Sequence, residues 1–472
     1  MNDAAIVGAG PSGMAAAYEV VRHGGTATVL ERLDRVGGLS RTIPHDGCRF
    51  DIGPHRFFTK NEEVRRLFAD VVAEDLVRVQ RLTRIFFKNR FFNYPLTPAN
   101  AIFGLGVLDS AAVLGSFLSQ RVVRAIAPRE PGNFEEWITD HFGARLFENF
   151  FKCYTEKVWG IPCTQIGADW ASQRIKGLSL AKAAWNAVFK SNKGAIKTLV
   201  DEFLFPRLGA GQFYEKMADA VRRKGGDVRT GCRVVRVHRE GFRVRAFTVE
   251  TPGGHEETVE ARYFLSSAPL TEIVTAMTPA PPEEVAGACR RLRYRHHVGV
   301  HLKLRQRPFP DNWIYVHSRD LRMARIANYR NFSRAMADGD DVSPLTVEYF
   351  TFSDEMPWRG TDDGLVRLAA EELRKMGLVD ADAIASSFIV RSEKAYPVIE
   401  IGSQREVDTI KSWLDRFENF LPIGRSGMFK YNNQDHAIAT GLLAARNALG
   451  LGRFDPWLVN IDAEYHEAGE SR

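Results

Sequence analysis

The sequence predicts an α/β protein in which a Rossmann-like β-α-β unit is separated by a helical insert from a mainly antiparallel β-sheet domain. Three observations predict it. An apolar run meets a glycine turn and a helix at the N-terminus; a stretch from Leu96 to about Leu204 has helix-spaced apolar residues without alternation; and alternating segments recur between Val228 and Phe352. A chain of 472 residues should hold two or three domains at roughly 150 residues each. An apolar fraction of 44%, with 26% charged and 11% aromatic residues, excludes disordered, collagen-like and disulfide-scaffold classes. Lys plus Arg (64) exceeds Asp plus Glu (58) only slightly, and the basic residues are dispersed, which favours an anionic small molecule over a nucleic-acid polymer.

The opening reads as a strand from Ala4 to Val7, a glycine turn, a helix from Ser12 to His23 and a strand from Thr26 to Leu30 ending at Glu31. It lacks the basic start and long apolar stretch of a signal peptide. Leu96 to Gln120 carries one charge, Asp109, but Pro98 and three glycines interrupt it, so a buried helical pair is expected rather than a membrane span. Phe134 to Thr139 and Leu146 to Tyr154 continue the helical pattern. Strands are expected at Val228 to Val237, Phe242 to Glu250, Thr258 to Ser266, Val298 to Leu304 and Thr346 to Phe352. Gly364 to Met376 reads as a surface helix, and Asp435 to Leu449 as a helix that opens with Asp435. Five cysteines without a CxxC or a Cys/His cluster at zinc spacing predict reduced thiols, a cytoplasmic location and no metal site.

Chemistry concentrates first in Gly8-Ala9-Gly10-Pro11-Ser12-Gly13, which fits G-x-G-x-x-G between a strand and a helix. There, backbone N–H groups and the helix dipole hold a pyrophosphate. Glu31 follows at the end of the second strand, where a carboxylate accepts from ribose hydroxyls. A second glycine pair, Gly37-Gly38-Leu39 after Arg32, gives the backbone another close approach to the pyrophosphate. That pair, with Phe420-Leu-Pro-Ile-Gly424-Arg425 leading to the helix at Asp435, resembles the amine-oxidase-like FAD proteins. The resemblance implies non-covalent, extended FAD in a discontinuous Rossmann-like domain (1–90, 205–270 and 415–472), a helical insert (95–204) and a mainly β substrate domain (271–414). It places the backbone of Val234 at the adenine.

Further segments are similar to one branch, the UDP-galactopyranose mutases. They are Phe50-Asp-Ile-Gly-Pro-His55-Arg-Phe-Phe-Thr59, Tyr94-Pro-Leu96, Tyr154-Thr-Glu-Lys-Val-Trp159-Gly160 with Arg174 downstream, and Gly424-Arg425-Ser-Gly-Met-Phe-Lys-Tyr431-Asn-Asn-Gln-Asp435-His436. The resemblance implies His55 at the flavin, Tyr154 stacking on a nucleotide base, Arg174 and Arg425 on a diphosphate, and Tyr431 beside sugar and flavin. Arg325 resembles a second diphosphate arginine; Tyr94, Trp159, Asn328 and Tyr396 are further candidates for substrate contact. Two activities remain open. One is a redox-neutral mutase, in which N5 of flavin reduced by NAD(P)H or another donor attacks the anomeric carbon of a nucleoside-diphosphate sugar, forming a flavin-sugar adduct, and the ring recloses between pyranose and furanose forms. The other is an FAD-dependent oxidase or desaturase of the amine-oxidase or protoporphyrinogen-oxidase type. The arginine set with Tyr154 favours the first, because guanidinium forks match paired phosphate oxygens. An oligomer is compatible with both.

Overall fold

The computed structural model describes residues 2–94, 104–168, 170 and 202–460. Two large sheets organise them. The first is eight-stranded, and its parallel part carries the expected unit: strand β1 (Asn2–Val7), helix α1 (Pro11–Arg22) and strand β2 (Ala27–Glu31). Pro11 at the helix start and the Gly24-Gly25 turn after its end punctuate α1 where its apolar face stops. Strand β1 pairs in parallel with Glu256–Ser266, which pairs in turn with Phe420–Pro422, while β2 pairs with Asp227–Thr230. The antiparallel strands Arg233–Glu240 and Arg243–Glu250 extend this sheet. The single strand expected at 228–237 is therefore two, broken at Gly231, which takes φ +71° and turns the chain into the antiparallel extension.

The second sheet runs, in order, Ile384–Pro397, Tyr294–Leu304, Ser343–Thr351, Arg325–Asn328, Trp313–Val316, Thr83–Phe87 and Arg90–Asn93. All its pairings are antiparallel except that of Trp313–Val316 with Thr83–Phe87. The hairpin at 83–93 thus joins strands more than 200 residues away, across the boundary expected at residue 90.

Helix Gln434–Ala448 packs along α1 under the first sheet; Arg446 reaches back to the fully buried Glu19 at 2.7 Å. Its N-cap is Asn433 rather than Asp435: the Asn433 side chain accepts from the third helical N–H, and its own N–H donates to His436 Nδ1. The surface helix falls at Asp362–Lys375, burying Leu365, Ala369 and Leu373. The helical insert shows Val107–Ile126, Phe134–Phe142 and Cys153–Trp159. Of the buried helical pair expected from 96 to 120, the first half lies mostly outside the described residues, and the second half, Val107–Ile126, is not buried. After a break at Gly106, that helix exposes Leu108, Leu114, Leu118, Val122 and Ile126, because its apolar residues surround the axis and only one side meets the core. Residues 95–103 lie outside the described set. Among the described residues, no helix is long and apolar enough to cross a membrane.

Candidate active site

A cavity of about 820 Å³ runs from the β1–α1 turn to the face of the second sheet. At one end it is lined by Gly8, Gly10 and Ser12 from the glycine turn, and by Gly38 and Leu39 from the second glycine segment. The two turns touch glycine to glycine: a Cβ on Gly38 would lie 3.0 Å from Gly10 Cα. Side chains there would fill the channel a pyrophosphate needs. Gly37 takes φ +105°, which turns the chain into this approach without lining it. Gly13 is also outside the lining; a Cβ on it would lie 1.9 Å from Gly8 O, so its job is helix–strand contact. Gly424 likewise packs on Ser12, whose Oγ would be 2.3 Å from an added Cβ.

Glu31 is buried, and its carboxylate accepts from the Ala9 N–H at 2.7 Å and the Leu33 N–H at 2.9 Å. This fixes it at the cavity wall with acceptor capacity left for ribose hydroxyls. Arg32, which reaches Glu393 at 3.4 Å, and Val234 line the same end. Arg41, not singled out by the motif, donates to Gly38 O at 2.7 Å and also lines the cavity; burial pushes its pKa down to about 10, so it is cationic at neutral pH. At the far wall, Asp435 sits in the first turn of Gln434–Ala448, whose N-terminus opens on the cavity. Paired glycine turns, an anchored ribose acid and two helix N-termini fit an extended dinucleotide.

At the other end stand His55, Arg325, Tyr396, Arg425 and Tyr431. His55 lies on the loop after strand Cys48–Asp51, and its Nδ1 is buried without a hydrogen-bond partner. Burial, reinforced by the charge of Arg325, pushes its pKa down to about 3, so the imidazole is neutral. Arg325 forms a bidentate pair with Glu348, both bonds at 2.6 Å, and Glu348 also meets His297 at 3.1 Å. Burial alone would raise the Glu348 pKa, but the charge and hydrogen bonds of Arg325, with His297, hold it below the usual carboxylate range. The expected second diphosphate arginine is therefore already charge-matched, with only Nη1 uncommitted.

Arg425 is different. Its Nε donates to Asn432 O at 2.8 Å, and its guanidinium carbon lies 4.7 Å from the ring centre of Tyr396 and 5.1 Å from that of Tyr431. No carboxylate among the described residues pairs with it. Tyr431 packs at 5.4 Å on the buried Trp159, which supports this wall from behind. Tyr154 lies outside the cavity, stacked on His317 at 4.9 Å and edge-on to Tyr315 at 5.4 Å; Tyr94 meets the same Tyr315 at 5.1 Å.

Asn328 is not brought to the site. It is three residues beyond Arg325 on one strand, so its side chain enters the opposite face, where Nδ2 meets Phe309 O. Arg174 falls outside the described residues. Glu348, His297 and Arg41 were missed from the sequence; a lone acid in the apolar run Leu345-Thr-Val-Glu348-Tyr-Phe350 is the signal that could have found Glu348.

Comparison with known proteins adds family and fold. A crystal structure of reduced UDP-galactopyranose mutase superposes with TM-score 0.84 over 98% of this chain and 97% of its own, at 20% identity. A putative protoporphyrinogen oxidase from Exiguobacterium sp. 255-15 follows at TM-score 0.72 and 17% identity, over 95% and 98%. In sequence, a probable UDP-galactopyranose mutase of Klebsiella pneumoniae is 32% identical over 169 residues, 35% of this chain and 42% of that protein. The coproporphyrinogen III oxidase of Mycobacterium bovis is 22% identical over 386 residues, 78% and 81% of the two chains. The model of the flavin containing amine oxidoreductases matches residues 11–393. The extended-dinucleotide cavity is thus an FAD site, the fold is that of UDP-galactopyranose mutase, and the chain belongs to the flavin containing amine oxidoreductases.

Proposed function

We propose that this flavoenzyme is a redox-neutral sugar-nucleotide mutase that interconverts pyranose and furanose rings of a nucleoside-diphosphate sugar. The observation that carries the reading is Arg425, a cation without a carboxylate partner among the described residues, packed against the stacked rings of Tyr396 and Tyr431 where the cavity meets the second sheet. A diphosphate leaving group needs a fixed fork of donors, and two aromatic faces fix it without neutralising it. The sequence similarity to the Klebsiella mutase supports the same substrate class.

Reduced flavin supplies an electron-rich nitrogen able to take the anomeric carbon and release it again. In this reading, Arg425 and Nη1 of Arg325 gather the diphosphate oxygens as the glycosidic bond breaks. Glu348 keeps Arg325 aimed by its bidentate hold. Neutral His55 offers a ring nitrogen to a sugar hydroxyl without placing a competing charge beside the phosphates. The N-terminus of Gln434–Ala448 favours negative charge on the bound ring system.

The similarity to coproporphyrinogen III oxidase over most of the chain supports a second reading, net oxidation with hydride passed to flavin. Electron balance separates them. Dithionite-reduced holoenzyme given UDP-galactopyranose without oxygen should yield a furanose isomer of equal mass over many turnovers, followed by NMR. Turnover that requires oxygen and gives a product two hydrogens lighter would establish the oxidase instead.

A further inference from the structure

Nε, Nη1 and Nη2 of Arg81 are all shut off from solvent, and none has a hydrogen-bond partner among the described residues. Its guanidinium carbon lies 5.3 Å from the ring centre of Tyr94 and 5.7 Å from that of Trp313, whose Nε1 is likewise buried and unpartnered. Three other buried or half-buried arginines are paired with carboxylates. Arg295 pairs with Glu355, Arg325 with Glu348, and Arg84, three residues on, makes a bidentate pair with the buried Asp311. A guanidinium held out of water without an anion is costly, and aromatic faces offset only part of that cost.

The position links this group to the site. Trp313 and Tyr315 share one face of their strand, and Tyr315 stands opposite Arg325 in register, so they share a sheet face with Arg325, which lines the cavity although they do not. Tyr94, Tyr315 and Tyr154 form a row of half-buried rings along that face. From the strand of Arg325 to that of Thr83 is two strand spacings, roughly 10 Å, within the span of an elongated small molecule.

We propose that Arg81, with Trp313, is a further anion subsite that takes a carboxylate or phosphate oxygen of the substrate on the side of Arg325 away from the flavin. All its free groups are donors, so it accepts anionic oxygens and rejects ammonium groups. The subsite does not rest on the mutase reading: nucleotide phosphates and porphyrin carboxylates are two sources of the same chemistry.

The test uses FAD-loaded full-length protein, wild type and the variants Arg81→Met and Arg81→Lys. The probes are UDP-galactose against uridine, and coproporphyrin III against its tetramethyl ester, read by quenching of flavin fluorescence. Wild type should bind one anionic probe at least tenfold tighter than its neutral counterpart; Arg81→Met should lose that preference by roughly ten- to a hundredfold, and Arg81→Lys should keep part of it. Without ligand, the melting midpoint of Arg81→Met should equal or exceed that of wild type, since an unpaired buried charge has gone. A lower midpoint with unchanged anion preference would assign Arg81 to packing and overturn the subsite. So would binding of neither anion by wild type. If UDP-galactose binds both wild type and Arg81→Met equally, the subsite falls and the mutase reading stands. If only coproporphyrin III binds and Arg81→Met loses it, the subsite stands and the mutase reading falls.

Discussion

Acid should destabilise this protein before its exposed carboxylates titrate, because three histidines are buried neutral. Burial pushes His55, His301 and His317 down to about 3 from an ordinary 6.5. Each also has a ring nitrogen without a partner: Nδ1 of His55 and His317, and Nε2 of His301. Between pH 6.5 and 4.5 the unfolded chain binds these three protons and the native protein does not, so stability falls as pH falls. The slope approaches about 1.4 kcal/mol per pH unit for each histidine, or about 4 kcal/mol per unit for three. Asp51 opposes it. Burial outweighs the hydrogen bonds of Thr42 and Ala210 and raises its pKa to about 7, so the native protein gains a proton there that the unfolded chain lacks. That returns about 1.4 kcal/mol per unit and leaves a net loss of about 2.7 kcal/mol per pH unit. Urea unfolding at pH 6.5, 5.5 and 4.5, followed by tryptophan emission and flavin release, measures this slope. The variant His301→Gln isolates one contribution, since His301 bonds Thr346 Oγ1 away from the cavity; it should halve the net slope. A stability that stays flat or rises on acidification, or a His301→Gln slope equal to that of wild type, would refute the account.

Gly13→Ala puts a methyl 1.9 Å from Gly8 O, a backbone atom that cannot rotate away, so helix α1 must shift from the strand. The expected result is a cost of roughly 1–3 kcal/mol in urea unfolding and substoichiometric FAD by absorbance after gel filtration. Glu348→Gln leaves the Arg325 charge buried without its carboxylate; equilibrium unfolding should show a loss of about 3–5 kcal/mol, far above that of an exposed pair such as Arg65–Glu62. Arg425→Met should preserve FAD content and stability but weaken UDP binding at least tenfold by calorimetry, as expected for loss of charge-assisted bonds worth about 1.5–3 kcal/mol.

The nucleotide-binding end was legible because it is local: strand, glycines, helix and acid lie within residues 2–31, and each residue type answers one steric or hydrogen-bonding need. At the Arg325 end the sequence offered candidate residues and not an arrangement. Arg325 reads as a free cation until the register sets it opposite Glu348, a pairing between strands 23 residues apart that no local spacing encodes. Asn328 was lost to strand parity, which reverses side-chain direction at every residue. The exposure of Val107–Ile126 was hidden for a different reason: apolar residues around a whole helix circumference do not say which side finds a partner. Pairing of the 83–93 hairpin with Trp313–Val316 depends on the closure of the whole molecule.

That interleaving has a consequence for how the protein is made. Strand β1 leaves the ribosome first, yet one neighbour, Glu256–Ser266, is about 260 residues behind it, and the helix that closes over the dinucleotide begins at Gln434. At about 5–20 residues per second, roughly 20–90 s separate synthesis of the glycine turn from synthesis of the residues that complete its cavity. The β-α-β unit meanwhile holds an open sheet edge and the apolar face of α1 against which Ile438 and Leu442 later pack. Flavin capture then waits for long-range closure rather than for formation of the motif.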